Sequence, residues 1–220
     1  VLRCVNAQHA SLTFDDGPGP YTAALVSVLD SLNVKGTFFV IGDSVAKYPD
    51  YYSMMKAAAA GGHEIGLHTY THRSLGSTGR MDPPVNNSRE MTPIEVRAEA
   101  VFTDLAVQLA TGLHARFLRL PFLEYTATSM AVLDTLGYVP VSINVDSNDW
   151  QVAGLANATA SMISTNVATA MVAAKGTGII VLQHDIYQLT ATALPQIVKS
   201  LKAAGYTLVP LSTCLGVPAY

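Results

Sequence analysis

Residues 10–18 read Ala-Ser-Leu-Thr-Phe-Asp-Asp-Gly-Pro, and they introduce a pattern that runs through the whole chain. Residues 10–14 form a short, largely apolar run, which predicts a buried strand. Two carboxylates and a turn end this run, and residues 22–32 then show the helical period. The stretch therefore predicts one strand–helix unit of the kind that builds parallel sheets.

The same unit recurs along the chain. Further strands are predicted at residues 36–40, 63–67, 117–120, 139–143, 179–183 and 206–209, and further helices at 45–60, 92–111, 127–136, 158–174 and 191–204. The helix from Thr92 begins with a capping box completed by Glu95. The fold class is α/β, and we expect residues 1–220 to form a single-domain distorted (β/α) barrel with about seven parallel strands. An open doubly wound sheet would show similar periodicity.

The composition limits the class of partner. Half of the 220 residues are hydrophobic, which is enough for one sizeable core, while the net charge is only −3 and charged residues make up 13%. The chain thus lacks the basic surface expected of a protein that binds nucleic acid or anionic lipid. No apolar run approaches the roughly 20 residues that span a bilayer. We expect a monomer that acts on a neutral partner.

The two cysteines lie before the first predicted strand and after the last. Cys4 and Cys214 are interpreted as a disulfide that ties the chain ends together, with two buried thiols as the alternative. Disulfides are typical of oxidising compartments, so we expect a secreted or cell-wall protein whose signal peptide has been removed. The triplets that begin at Asn86 and Asn157 are possible glycosylation sites.

Two clusters suggest a metal site. Asp15 and Asp16 end the first predicted strand, where one carboxylate can bind metal while the other moves protons, although Asp-Gly-Pro is also an ordinary turn. His68 and His72 follow the third strand and lie four residues apart, which brings both imidazoles to one face of a helical turn. Each cluster alone has a structural explanation.

Three more polar clusters follow predicted strands: Arg119 with residues 120–122, residues 146–150 with Asp149 and Trp150, and Leu182 with His184. The carboxyl ends of the strands form the face on which barrel enzymes place their active sites. We therefore expect all five clusters to meet in one mouth. The irregular residues 76–91 follow the histidine pair and either wall this cleft or leave it open.

These five clusters, in this order, resemble the motifs of the NodB-like polysaccharide deacetylases, carbohydrate esterase family four. The similarity spans residues 13–184, and the segment 214–216 is similar to fungal chitin deacetylases in particular. The resemblance implies a divalent metal, zinc first and cobalt as the alternative, held by Asp16, His68 and His72. It implies hydrolysis of N-acetyl groups on a chitin-like polysaccharide, with peptidoglycan glycan or acetylxylan as alternative substrates and a non-catalytic carbohydrate-binding protein as a further alternative.

The resemblance also implies roles for the remaining residues. Asp15 would be the general base, oriented by Arg119, and His184 the general acid, kept charged by Asp149. The backbone N–H of Phe122 would hold the oxyanion, while Leu182 and Trp150 would line the substrate site. The chain departs from the family pattern at Leu67, which is often asparagine, and at Phe122, which is often tyrosine. A glycosidase is disfavoured, because its two carboxylates must lie at least about 5 Å apart on either side of a glycosidic bond.

Overall fold

The structure is a computed structural model that describes residues 2–81, 84 and 89–220. Among these residues it has eight strands: β1 (His9–Asp15), β2 (Thr37–Val40), β3 (Glu64–Leu67), β4 (Phe117–Leu118), β5 (Val139–Pro140), β6 (Val145–Asp146), β7 (Ile179–His184) and β8 (Thr207–Leu208). Every pair of neighbouring strands is parallel. Seven strands follow the order β5-β4-β3-β2-β1-β7-β6, and β8 pairs with the start of β1.

Helices connect the strands, and most of them cover the outside of the sheet. They are α1 (Thr22–Ser31), α2 (Gly42–Lys47), α3 (Pro49–Ala60), α4 (Pro93–Thr111), α5 (Ala127–Thr135), α6 (Asp149–Ala153), α7 (Ala160–Ala173), α8 (Gln188–Ala203) and α9 (Leu211–Leu215). The predicted single-domain distorted (β/α) barrel is confirmed, as a curled half-barrel with flanking helices. None of these helices is both long enough and apolar enough to cross a bilayer.

The sheet separates two apolar clusters. Alternate residues such as Phe14 and Phe38 point outward and pack with buried helix residues such as Leu29. The residues between them along each strand point inward, and Phe39 and Ile180 are two of these residues that form a second cluster inside the barrel. Because β1 and β7 pair in register at their ends, Asp15 and His184 lie side by side on the inward face. This pairing places two of the predicted catalytic residues together.

Residues around Cys4 and Cys214 close the barrel at the amino ends of the strands. Cys4 and Cys214 form a disulfide, as predicted, so the alternative of two free thiols is wrong. Both cysteines and Leu211 belong to the inner cluster. Glu64 at the start of β3 accepts hydrogen bonds from the backbone N–H and the hydroxyl of Ser212 and from the Thr37 hydroxyl. The end of the barrel at which the polar clusters were predicted to meet is therefore the opposite one.

The prediction was wrong in the short elements. The helix predicted at residues 45–60 is two helices, because Tyr48 precedes Pro49 and adopts an extended backbone that ends α2. The strand β6 and the helices α6 and α9 were not predicted. The capping box of Thr92 and Glu95 is present at the start of α4. Asn157 is exposed before α7, whereas Asn86 lies outside the described residues.

Candidate active site

A cavity of about 380 Å³ opens at the carboxyl ends of the strands. Eight of the residues singled out from the sequence line it: Asp15, Asp16, His68, His72, Phe122, Trp150, Leu182 and His184. Arg119 and Asp149 are fully buried and contact two of these lining residues from behind. The predicted convergence of the five clusters in one mouth is therefore observed.

Asp16, His68 and His72 form a compact set of candidate metal ligands. Their ligand atoms all lie within 4.8 Å of one another. The Asp16 Oδ1 atom lies 3.3 Å from Nε2 of His68 and 3.1 Å from Nε2 of His72, yet it is buried without a hydrogen bond. A buried carboxylate oxygen facing two imidazole nitrogens, with none of its hydrogen-bonding capacity used, fits a divalent cation.

Two of the candidate ligands, Asp16 and His72, have an unusual backbone conformation and line the cavity. Asp16 has φ 72° and His72 has φ 56°, and both angles lie in the left-handed region that residues other than glycine rarely adopt. Nδ1 of His68 donates to the backbone oxygen of Arg119 at 2.8 Å, so Nε2 is the ring nitrogen that faces Asp16. Burial alone would raise the pKa of Asp16, but the two imidazoles outweigh it and hold that pKa well below its usual range.

Asp15 is held from below by a buried arginine. Nη1 of Arg119 donates to Asp15 Oδ1 at 2.8 Å and to the Thr13 hydroxyl at 2.7 Å. The guanidinium lies 4.2 Å from the centre of the Phe39 ring, so the top of the inner apolar cluster supports it. Asp15 Oδ2 lies 3.9 Å from Nε2 of His68. One oxygen of Asp15 is thus fixed by the arginine, while the other faces the metal-ligand set.

His184 is held by a buried aspartate. Its Nδ1 donates to Asp149 Oδ1 at 2.7 Å, and its backbone N–H donates to Asp149 Oδ2, also at 2.7 Å. The hydroxyl of Thr190 donates to the same Oδ2 atom at 2.7 Å. Burial alone would lower the pKa of His184, but the bond to Asp149 and its charge outweigh burial and raise that pKa to about 9. The free Nε2 lies 3.9 Å from Asp16 Oδ2.

The remaining predicted residues shape the walls. Phe122 has φ 58°, and its ring centre lies 4.9 Å from that of His72. Leu182 is buried two residues before His184 on the same face of β7. Trp150 is 49% exposed at the rim, where a large ligand can reach it.

Three cavity-lining residues carried no signal in the sequence: Arg80, Leu123 and Tyr187. Asp146 and Leu120 also line the cavity. Both belong to the polar clusters that follow predicted strands, but the sequence assigned no role to either. Arg80, within the stretch 76–91, lines the cleft, whereas residues 82, 83 and 85–88 of that stretch lie outside the described residues.

Known proteins share this sequence pattern and fold. A family profile described as "Polysaccharide deacetylase" matches residues 3–141. The chain spans 46% to 66% of the full length of three curated fungal chitin deacetylases. One of these, from Pestalotiopsis sp, is 30% identical over 98% of this chain and 66% of its own length.

Two solved structures extend the comparison. The chitin deacetylase of the fungal pathogen Colletotrichum lindemuthianum matches with a TM-score of 0.86 and 25% identity, over 99% of this chain and 92% of its own. A family 4 acetyl xylan esterase from Clostridium thermocellum, in complex with a cobalt ion, matches with a TM-score of 0.77 and 30% identity, over 96% and 93%. With the profile covering more than half of its length and the whole fold shared, the chain belongs to the polysaccharide deacetylase family.

Proposed function

We propose that the chain is a metal-dependent hydrolase that removes N-acetyl groups from N-acetylglucosamine units of chitin or chitooligosaccharides and releases acetate. The observation that carries this proposal is the set of Asp16, His68 and His72, with ligand atoms within 4.8 Å, flanked by Asp15 and His184. Residues 1–220 would act as one catalytic domain. The disulfide supports a secreted or cell-wall location.

Asp16, His68 and His72 would hold the divalent metal. Zinc suits one carboxylate and two imidazoles in a site with open positions, and cobalt is the alternative because the acetyl xylan esterase relative binds it. When bound, the cation would polarise the acetamide carbonyl and lower the pKa of a neighbouring water molecule.

Asp15 would accept the proton from the attacking water. Its Oδ1 is occupied by Arg119, so Oδ2, which faces the ligand set, is the atom available for the proton. The hydrogen bond from Arg119 fixes the orientation of the carboxylate. The backbone N–H of Phe122 would donate to the oxyanion that forms on the acetyl carbonyl.

His184 would protonate the departing nitrogen, because an amine leaves far more readily than an amide anion. With a pKa of about 9 set by Asp149, the imidazole carries the required proton at neutral pH. Nδ1 is held by Asp149, so Nε2, which faces Asp16, would donate it. Leu182 would contact the acetyl methyl group, and Trp150 at the rim would contact the sugar.

Acetate release measured on chitohexaose, peptidoglycan glycan and acetylxylan tests this proposal. We expect the highest kcat/KM on chitohexaose, loss of activity on chelation, and recovery with zinc or cobalt. Acetylxylan is a specific rival because of the acetyl xylan esterase relative, and faster release from it would reassign the substrate. Activity indifferent to chelation would reject the metal mechanism.

A protein that binds metal but releases no acetate from any substrate would be a carbohydrate-binding relative. New reducing ends without acetate would indicate a glycosidase. Sedimentation of the purified protein tests the expected monomer, and mass analysis of the secreted protein tests glycans at Asn86 and Asn157.

A further inference from the structure

Arg80 is the only lysine or arginine among the described residues that line the cavity. Its guanidinium carbon lies 4.0 Å from the centre of the Phe122 ring. That ring in turn lies 4.9 Å, centre to centre, from the imidazole of His72. A positive charge is therefore placed one aromatic ring away from the metal-ligand set, at the side of the cleft where Phe122 would hold the oxyanion.

Both the backbone and the side chain of Arg80 are held in place. Its backbone oxygen accepts from the Ser74 N–H at 2.8 Å, and its Nη2 pairs with Glu124 Oε1 at 3.0 Å. Glu124 is itself anchored, because the Ser74 hydroxyl donates to its Oε2 at 2.6 Å. A β-bridge between Leu75 and Tyr125 joins the same two segments. These contacts hold the guanidinium in the wall of the cavity.

The side chain also remains available to a ligand. It is 51% exposed, and a guanidinium has five N–H donors, of which the contact with Glu124 uses only part. A surface ion pair alone would explain the contact with Glu124. It would not explain why the cation stacks on the ring of a cavity residue.

The proposed reaction changes the charge of its own substrate. An N-acetylated sugar is neutral, whereas the deacetylated product carries an amine that is protonated at mildly acidic pH. Some glycans also carry a carboxylate on the neighbouring N-acetylhexosamine. A fixed cation in the cleft therefore distinguishes three kinds of neighbouring sugar: neutral, ammonium-bearing and carboxylate-bearing.

We propose that Arg80 is a specificity-determining residue that selects by the charge of the sugar beside the reacting unit. It accepts neutral or carboxylate-bearing N-acetylhexosamine units and disfavours units that carry a free ammonium group. This inference rests on the proposed deacetylase function.

The test compares the wild type with Arg80→Gln, Arg80→Lys and Arg97→Gln at pH 6 and low salt. Arg97 is exposed on α4 and absent from the cavity lining, so Arg97→Gln makes the same change in net charge elsewhere. The substrates are chitotetraose, chitotetraose deacetylated at its two end units, and a peptidoglycan glycan with free lactyl carboxylates. Both kcat/KM for acetate release and equilibrium binding of each oligosaccharide are measured.

Relative to chitotetraose, Arg80→Gln should improve the ammonium-bearing substrate about threefold to fivefold and weaken the carboxylate-bearing one by a similar factor. Arg80→Lys and Arg97→Gln should keep the wild-type ratios, and 0.5 M salt should reduce the difference between Arg80→Gln and the wild type. Unchanged ratios in Arg80→Gln, or equal changes in Arg80→Lys, would overturn charge selection. If the wild type released no acetate, the proposed function would fail, and the binding ratios would still decide the role of Arg80.

Discussion

Adjacent aspartates reach the same cavity because the backbone bends between them. Asp15 is the last residue of β1 and points into the barrel, so a continued strand would turn the next side chain outward. Asp16 instead has φ 72°, which returns its carboxylate to the cavity. Gly17 follows because a Cβ atom there would lie 2.0 Å from Asp185 Oδ2. The Asp-Asp-Gly sequence thus brings the proposed base and the proposed metal ligand to one cavity in different positions.

Replacing Asp15 with asparagine should separate proton transfer from metal binding. The amide cannot accept the proton, so we expect kcat to fall by about 10²-fold to 10⁴-fold. Metal content, measured by elemental analysis, should stay near one ion per chain, since Asp16, His68 and His72 are unchanged. His68→Ala is the comparison and should lower both quantities. A near-normal rate in Asp15→Asn would show that another group is the base.

Asp185 should make stability depend on pH. Burial raises the pKa of this fully buried carboxyl to about 7, and its Oδ2 accepts from the Thr22 hydroxyl at 2.5 Å. Between pH about 4 and 7 the unfolded chain releases a proton that the folded chain retains. The contribution of Asp185 is therefore complete at low pH and is lost as the pH rises, by up to about 1.4 kcal/mol per unit.

Asp185→Asn removes this titration while keeping the shape of the side chain. Urea unfolding at pH 4.5 and 7.5 should show that the variant gains stability relative to the wild type at the higher pH. The comparison between the two proteins cancels the titration of other groups. An identical difference in unfolding free energy at both pH values would mean that Asp185 keeps an ordinary pKa.

At the scale of elements, the start of α4 is specified locally. The Thr92 hydroxyl accepts from the Glu95 N–H at 3.3 Å, and Glu95 Oε2 accepts from the Thr92 N–H at 2.8 Å. Thr92→Ala should lower the free energy of unfolding by about 1 kcal/mol and leave acetate release unchanged. Thr192→Ala, an exposed mid-helix position on α8, is the matched control and should be nearly neutral. Equal effects of the two substitutions would contradict the capping contribution.

The sequence predicts the long elements because their own residues determine them. The runs that form β1, β2, β3 and β7 are at least four residues long and contain the apolar residues that the sheet buries. The longer helices, such as α4, bury residues at helical spacing. The strand β6 has only two residues, Val145–Asp146, and depends on partners distant in sequence. Asn144 accepts from the Ile180 N–H at 2.8 Å, and the Ser147 N–H donates to Leu182 at 3.1 Å. Such contacts leave no local pattern.

The same distinction separates the predicted and unpredicted parts of the site. Asp16, His68 and His184 follow strands or lie at their ends, so the topology of a parallel sheet brings them to one face. Arg80 lies outside the helices and strands, and its position is set by the bonds with Ser74 and Glu124. Its position over Phe122 follows from tertiary contacts alone, and no residue spacing indicates it.

In the molecule as a whole, the cavity and the disulfide lie at opposite ends of the barrel. The metal-ligand set and its partners lie at the carboxyl ends of the strands. At the other end, Cys4 and Cys214 join positions 210 residues apart in sequence and belong to the apolar cluster inside the barrel. The disulfide should therefore contribute to stability without shaping the cavity.

The double variant Cys4→Ala/Cys214→Ala tests this separation. The chain-entropy model assigns about 5 kcal/mol to closing so long a loop, and loss of packing in the inner cluster adds to the effect. We expect a large fall in unfolding free energy but a kcat/KM close to wild type at a temperature where the variant stays folded. Reduction of the wild type under mild denaturation provides the comparison without a change of sequence. Circular dichroism would show whether the variant is folded. Equal losses of activity and stability in a folded variant would mean that the closed end also positions the proposed catalytic residues, through Arg119 and the apolar cluster beneath it.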